Sequence, residues 1–224
     1  MDSEGVKLPQ DVAPEDTARY CTSLFVPRKG DAEGARGTIT FVEYKGGCYG
    51  ITNQHVIASA EGQEFQLSLQ GAVPLPGRLL MTSARDNPDL PLDIALFSLE
   101  RDAITRGGKE PYPLREDKGP VREGSSLLAV GYPGIDPLYV TGTCIGASDR
   151  RIILHDGLSD EMRRISFGGM SGGPIFAFGE DGIFGLVGII YQGRGLGDGA
   201  EDVWIYGFPV NRDLMERVLG LADV

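Results

Sequence analysis

The chain has 224 residues with 33 Gly, 14 Pro and 41% hydrophobic residues, which describes a turn-rich globular protein able to bury a core and excludes a disordered one. With 32 acidic against 21 basic residues the net charge is −11, so phosphate backbones and anionic bilayers are repelled, and neither nucleic acid nor a membrane is an expected partner. Cys21, Cys48 and Cys144 are odd in number and lack metal-ligand spacing, which points to free thiols in a reducing compartment and to no metal site.

Residues 1–18 carry Pro9, Pro14 and five acidic residues without hydrophobic periodicity and read as a flexible acidic leader. No secretory signal opens the chain and no later apolar run is long enough to span a bilayer, so the expected location is cytoplasmic. Tyr20 to Val26 is strand-like, and Lys29 to Gly34 reads as a polar loop. Thr38 to Tyr44 and Cys48 to Thr52 alternate around Lys45-Gly46-Gly47, which predicts a hairpin with His55 just beyond its second strand. Phe65 to Leu69 and Arg78 to Met81 are further strands, divided by Gly71 and a loop holding Pro74, Pro76 and Gly77. Leu92 to Leu99 reads as a buried strand with Asp93 at its start, whereas Asp86 and Asp89 sit among loop residues and read as solvated. A buried carboxylate needs a partner, and an imidazole is a good one.

Arg101 to Glu123 is charged and holds Gly and Pro, the signature of a link between two halves. Leu127 to Gly134, Tyr139 to Ile145 and Arg151 to Leu154 continue in β pattern, with His155 expected at a hairpin tip. The pairs Arg150-Arg151 and Arg163-Arg164 read as solvated faces. Ile175 to Phe178, an acidic turn at Gly179 to Gly182, and Ile183 to Tyr191 form a buried hairpin, and Val203 to Val210 is a last strand. Asn211 can cap a final helix that puts Leu214, Met215, Val218 and Leu219 on one face.

The stretch Phe167-Gly168-Gly169-Met170-Ser171-Gly172-Gly173-Pro174 surrounds one serine with glycines, so the backbone turns tightly and leaves the hydroxyl unobstructed. Such a serine is a nucleophile only with a base for its proton and donors for the oxyanion. Gly169, two residues before Ser171, allows both amides to point into one small hole. The base is one of two histidines, His55 or His155.

Thr52-Asn53-Gln54-His55-Val56, Asp93-Ile94-Ala95-Leu96 and Gly169 to Pro174, in that order, resemble the three signature segments of trypsin-like serine proteases, and most of all the bacterial HtrA type. Asp93 follows His55 by 38 residues and Ser171 follows Asp93 by 78, spacings that suit a compact bacterial member. The resemblance runs from about Gly37 to Asn211. It implies an all-β fold of two six-stranded antiparallel barrels, with a short helical turn after His55. The first barrel would span about 19–105, the linker 106–123, the second barrel 124–210 and a helix 211–222.

By the same resemblance the protein is a serine endopeptidase acting on protein or peptide substrates without a cofactor or metal. Ser171 is the nucleophile, His55 the base and then acid, Asp93 the group that holds the imidazole tautomer, and the Gly169 and Ser171 amides form the oxyanion hole. The substrate pocket would draw on Ile165, Phe167, Ile190, Tyr191 and Gly193, none of them acidic, so an apolar or small residue is expected before the scissile bond. Asp202 could serve a basic residue only in one register of the last strand. Met170 stands where digestive members carry an aspartate that pairs with a freshly cut N-terminus, so control by a loop or a regulatory protein partner is expected instead of N-terminal processing. None of the 224 residues reads as the peptide-binding domain that HtrA-type proteins usually append, so the expectation is a protease domain without one. Two alternatives stay open: a catalytically silent scaffold of the same fold, which the intact triad opposes, and an esterase, which differs only in substrate. Cys48 and Cys144 lie in strand patterns, which argues against a cysteine nucleophile.

Overall fold

Lys45 (φ 48°) and Gly46 (φ 79°) both adopt the left-handed conformation, the pair of angles that a two-residue hairpin turn of type I′ requires. They join β2 (Asp31–Tyr44) to β3 (Gly47–Thr52). The computed structural model describes residues 14–28, 31–58, 67–69, 73–83, 93–114, 121–157, 167–178, 184–194 and 202–222. Around the hairpin lie β1 (Cys21–Arg28), β4 (Leu67–Leu69), β5 (Val73–Leu75), β6 (Gly77–Thr82) and β7 (Ala95–Leu99), in the order β5-β4-β1-β2-β3-β7-β6. β5 and β6, at the two ends of this order, are separated by Pro76 alone, which brings the ends of the sheet back to one another at that residue. β8 (Tyr112–Pro113) adds to β2 in parallel. Leu24, Ile39, Phe41, Ile57 and Phe97 fill the interior, each at most 1% exposed. Burying each such side chain contributes about 1.5–3 kcal/mol.

The second half is a closed six-stranded barrel in the order β10-β11-β14-β13-β12-β9. Its strands are β9 (Ser126–Gly131), β10 (Leu138–Ala147), β11 (Ile152–Gly157), β12 (Pro174–Phe178), β13 (Phe184–Arg194) and β14 (Asp202–Pro209). Every pair within it is antiparallel. The double-barrel expectation therefore holds, with the difference that among the described residues the first sheet has eight strands rather than six.

A third cluster packs residues of both barrels together, with Val42, Ile94 and Tyr112 from the first half against Leu128, Phe176 and Phe208 from the second. Tyr20 meets Tyr112 edge-on with ring centroids 5.1 Å apart, and Tyr112 meets Phe176 at 5.8 Å. Aromatic pairs of this kind add about 0.5–1.5 kcal/mol beyond burial. Helix α3 (Arg212–Ala222) follows the second barrel in sequence but returns to the first, burying Leu214, Met215 and Val218 in the shared cluster beside Leu80 and Met81. The Asn211 side chain accepts a hydrogen bond from the Leu214 amide at 2.8 Å, the expected cap. Among the described residues no helix is long and apolar enough to cross a membrane.

Several sequence expectations need correction. Pro14–Tyr20 is a 3-10 helix with Thr17 and Ala18 buried, so at least the end of the predicted leader is structured; residues 1–13 lie outside the described residues. Lys109 holds this helix by donating to the Ala18 carbonyl at 3.0 Å, and burial lowers its pKa. Asp31 to Gly34 belong to β2 rather than to a loop, because pairing with β1 extends as far as Arg28 and Asp31. The predicted linker contains α2 (Arg101–Arg106) and β8, anchored by buried Ala103, Ile104 and Tyr112. His155 lies within β11, opposite Thr143 and Trp204, and not at a hairpin tip.

Candidate active site

β3 ends at Thr52 and runs through Asn53 into α1 (Gln54–Ile57), a single turn that buries Val56 and Ile57 and leaves His55 exposed on the outer side. Burial of Asn53 before it and of Val56 and Ile57 after it thus presents the imidazole. Asp93, two residues before β7, grips it twice: Oδ1 accepts the His55 backbone amide at 2.8 Å and Oδ2 contacts ring Nδ1 at 2.5 Å. With Nδ1 committed to the carboxylate, Nε2 is left as the proton acceptor.

Asp93 has φ 86°, a conformation that L side chains rarely adopt. Its neighbours hold it there. The Ser83 hydroxyl accepts the Asp93 and Ile94 amides, both at 2.8 Å, and donates to Gln54 Oε1 at 3.2 Å. Asn53 Nδ2 donates to the Asp93 carbonyl at 2.9 Å. Strain of about 1–3 kcal/mol at such a residue persists only where surrounding bonds over-determine it, and it clusters at functional sites. Asp86 and Asp89 lie outside the described residues.

Ser171 sits in a turn between the barrels. Its carbonyl accepts the Thr38 amide at 2.8 Å, and Thr40 Oγ1 donates to the Gly172 carbonyl at 2.8 Å. On the other side the Gly172 amide bonds the Ile190 carbonyl, and the Ile190 amide bonds the Gly173 carbonyl, each at 2.8 Å. Gly172 (φ 90°) tolerates no side chain: a Cβ there would lie 1.9 Å from the Thr38 carbonyl and 2.5 Å from Thr52 Oγ1. The turn is therefore pressed against the end of the strand that leads to His55. At Gly37 a Cβ would lie 2.7 Å from Val56 and 3.2 Å from the Ser171 carbonyl, so the two segments meet directly over this glycine. Among the described residues no hydrogen bond links the Ser171 hydroxyl to His55. In unliganded sites the contact between nucleophile and base often tightens only when substrate binds.

Gly169 has φ 95°, and a Cβ there would lie 2.6 Å from the Tyr132 carbonyl. The amides of Met170, Gly172 and Gly173 are all bonded within the protein, whereas those of Gly169 and Ser171 have no acceptor among the described residues. Two free amides separated by one residue are suited to an anionic oxygen.

The remaining candidates divide. Phe167 is half-buried against the second barrel and faces Gly193, where a Cβ would lie 3.4 Å from its own. Tyr191 is half-buried at the bulge of β13 between Ile190 and Gln192. The Ile190 side chain is 1% exposed inside the barrel, so that residue serves the site through its backbone and its side chain does not face a substrate. Ile165 lies outside the described residues. Asp202 begins β14 opposite Gly157, half-exposed, with Oδ1 3.5 Å from His155 Nε2. It is five residues from Gly207, the partner of Ile190, or about 17 Å at strand rise, so it is not placed to neutralise a basic side chain near Ser171. Thr38, Thr40, Thr52 and Ser83 were not singled out from the sequence. The alternation of Thr38 and Thr40 with Ile39 and Phe41 marks a strand, but only the structure shows these threonines buried and turned to the junction.

A serine presented between two β-barrels, beside a carboxylate-bound imidazole and two unpaired amides, defines the trypsin-like class of peptidase. Residues 37–189 match the family model of the trypsin-like peptidase domain, and the chain belongs to that family of serine endopeptidases. No curated protein sequence matches it. The fold is similar to the crystal structure of the serine endoprotease from Yersinia pestis, with TM-score 0.60 and 17% identity over 96% of this chain and 68% of that one. It is similar as well to the thermostable serine protease AL20 from an extremophilic microorganism, with TM-score 0.59 and 15% identity over 95% of this chain and all of that one.

Proposed function

We propose that this peptidase cleaves protein substrates through a covalent acyl-enzyme, with Ser171 as nucleophile, His55 as base and then acid, and Asp93 holding the imidazole. The observation that carries this is the two-point grip of Asp93 on the backbone and ring of His55, which occupies Nδ1 and leaves Nε2 to act as the base, in a segment whose next residue, Val56, meets the Ser171 turn over Gly37. In the first step Nε2 takes the hydroxyl proton as Oγ attacks the carbonyl carbon. The oxyanion falls to the Gly169 and Ser171 amides, and the imidazolium returns its proton to the leaving amine. Water then repeats the sequence on the ester.

The substrate residue before the cut is apolar or small, a reading supported by the apolar Phe167 opposite Gly193 and by the engagement of Asp202 with His155. Three buried, unpaired thiols suit the cytoplasm, and burial pushes the Cys21 thiol up to about 12, which leaves it unreactive. Control rests with a loop or a protein partner rather than with a new N-terminus, because Met170 is 2% exposed within the second barrel and offers no counter-charge to an ammonium. The test is a fluorophosphonate probe with wild type, Ser171→Ala and His55→Ala, followed by N-terminal proteomics of a treated extract. Labelling and new N-termini with wild type alone support the reading, and labelling of Ser171→Ala overturns it.

A further inference from the structure

Thr38 lies on β2 of the first barrel, fully buried, yet its amide and its hydroxyl both serve the junction with the second. Its amide donates to the Ser171 carbonyl at 2.8 Å, and its carbonyl accepts from Thr52 Oγ1 at 2.7 Å. Its hydroxyl accepts the Tyr132 amide at 2.9 Å and stands 2.8 Å from the Gly169 carbonyl. A hydroxyl has one proton, and since the Tyr132 amide must donate, that proton is committed to Gly169.

We propose that the Thr38 hydroxyl is a positioning residue for the oxyanion-binding turn, an inference that rests on the nucleophile assigned above. Gly169 has no Cβ to limit its rotation, and its amide is one of the two unpaired donors. If its carbonyl were free, the peptides on either side could swing and carry that amide away from the Ser171 amide. Three carbonyls of the turn, those of Gly169, Ser171 and Gly172, are instead held by Thr38 and Thr40. The Tyr132 carbonyl, 2.6 Å from where a Gly169 Cβ would stand, also packs against the turn. With its carbonyls pinned to β2, the turn is held in one conformation, which fixes the directions of the Gly169 and Ser171 amides. Donors held in this way need no reorganisation as charge develops, the condition under which they act most strongly. Tyr132 Oη is in turn bonded to Lys109, which holds the N-terminal helix, so the pin joins a network extending across both barrels.

The test compares wild type, Thr38→Val, Thr38→Ser and Ser171→Ala as full chains. Readouts are kcat and KM on one peptide substrate, affinity for a peptide boronate, affinity for the product peptide, and thermal unfolding. Valine keeps the shape and removes the hydroxyl. Thr38→Val is expected to lower kcat about 100-fold, the scale of losing one oxyanion donor, with KM within about threefold. Boronate affinity should fall in parallel while product affinity holds, and Thr38→Ser should recover most of the loss. If Thr38→Val fails to fold, Thr38→Ala against Thr38→Ser decides, since that pair differs only by the hydroxyl. A variant that is less stable but turns over normally per folded molecule, or that raises KM alone, overturns the proposal. An inactive Ser171→Ala beside a normal Thr38→Val refutes the positioning role alone, whereas an active Ser171→Ala refutes the nucleophile assignment and this role with it.

Discussion

Asp93 binds His55 at two atoms, its Oδ1 on the backbone amide at 2.8 Å and its Oδ2 on ring Nδ1 at 2.5 Å, so one carboxylate fixes both where the imidazole stands and which nitrogen carries the proton. Asp93→Asn keeps the shape but can turn its NH2 toward Nδ1, which places the proton on Nε2 and removes the base. The expected loss is about 10⁴-fold in kcat, the scale for a neutral amide in such a triad, with little change in thermal unfolding. Steady-state kinetics check this. A loss below tenfold would mean that Asp93 does not set the tautomer.

Gly172→Ala separates the demands of fold and site. A Cβ would stand 1.9 Å from the Thr38 carbonyl at φ 90°, so the turn must leave β2. The expected cost is about 2–4 kcal/mol, together with loss of activity. Gly46→Ala, also at positive φ (79°) but with nothing within 4 Å, should cost about 1–2 kcal/mol and leave turnover unchanged. Chemical unfolding and kinetics on both variants provide the comparison, and equal effects would refute it.

Cleavage preference follows from Asp202 being bound to His155 at the far end of β14. A peptide library is expected to show apolar or small residues before the cut, and Asp202→Asn should leave that profile unchanged. A Lys or Arg preference that Asp202→Asn abolishes would reverse the assignment.

Glu216 ties α3 to the β2–β3 turn. Its Oε1 accepts from Arg212 Nε at 2.8 Å, Tyr44 Oη at 3.1 Å and Lys45 Nζ at 3.2 Å. These donors, Arg212 first, hold its carboxyl at about 2, below its ordinary 4.5. A carboxyl depressed on folding contributes stability above its unfolded pKa and loses that contribution as pH falls through the folded value. The Tm difference between wild type and Glu216→Gln is therefore expected to be widest above about pH 4.5 and to close toward pH 2. The site is exposed, so the difference is small. A Tm gap that widens on acidification would contradict it.

The sequence by itself determined the features whose chemistry is local. Lys45-Gly46 specifies the hairpin turn, and glycines at 169 and 172 supply the positive φ angles that place Ser171. Asn211 caps α3, and the alternation around Phe41 marks a strand, although the structure buries both of its faces. Local chemistry also singled out Asp93, since a carboxylate flanked by core residues must find a partner.

Tertiary structure alone decided what depends on residues distant along the chain. Thr38 and Gly169 are 131 residues apart, and nothing in the composition of either segment foretells their contact. The same holds for Ser83, ten residues before Asp93, whose hydroxyl holds the strained backbone there. Ile190 has the composition of a pocket wall, but strand register turned its side chain into the barrel and left its backbone to hold the turn. A single residue of register exchanges the two faces of a strand, and the pairing of distant segments sets that register.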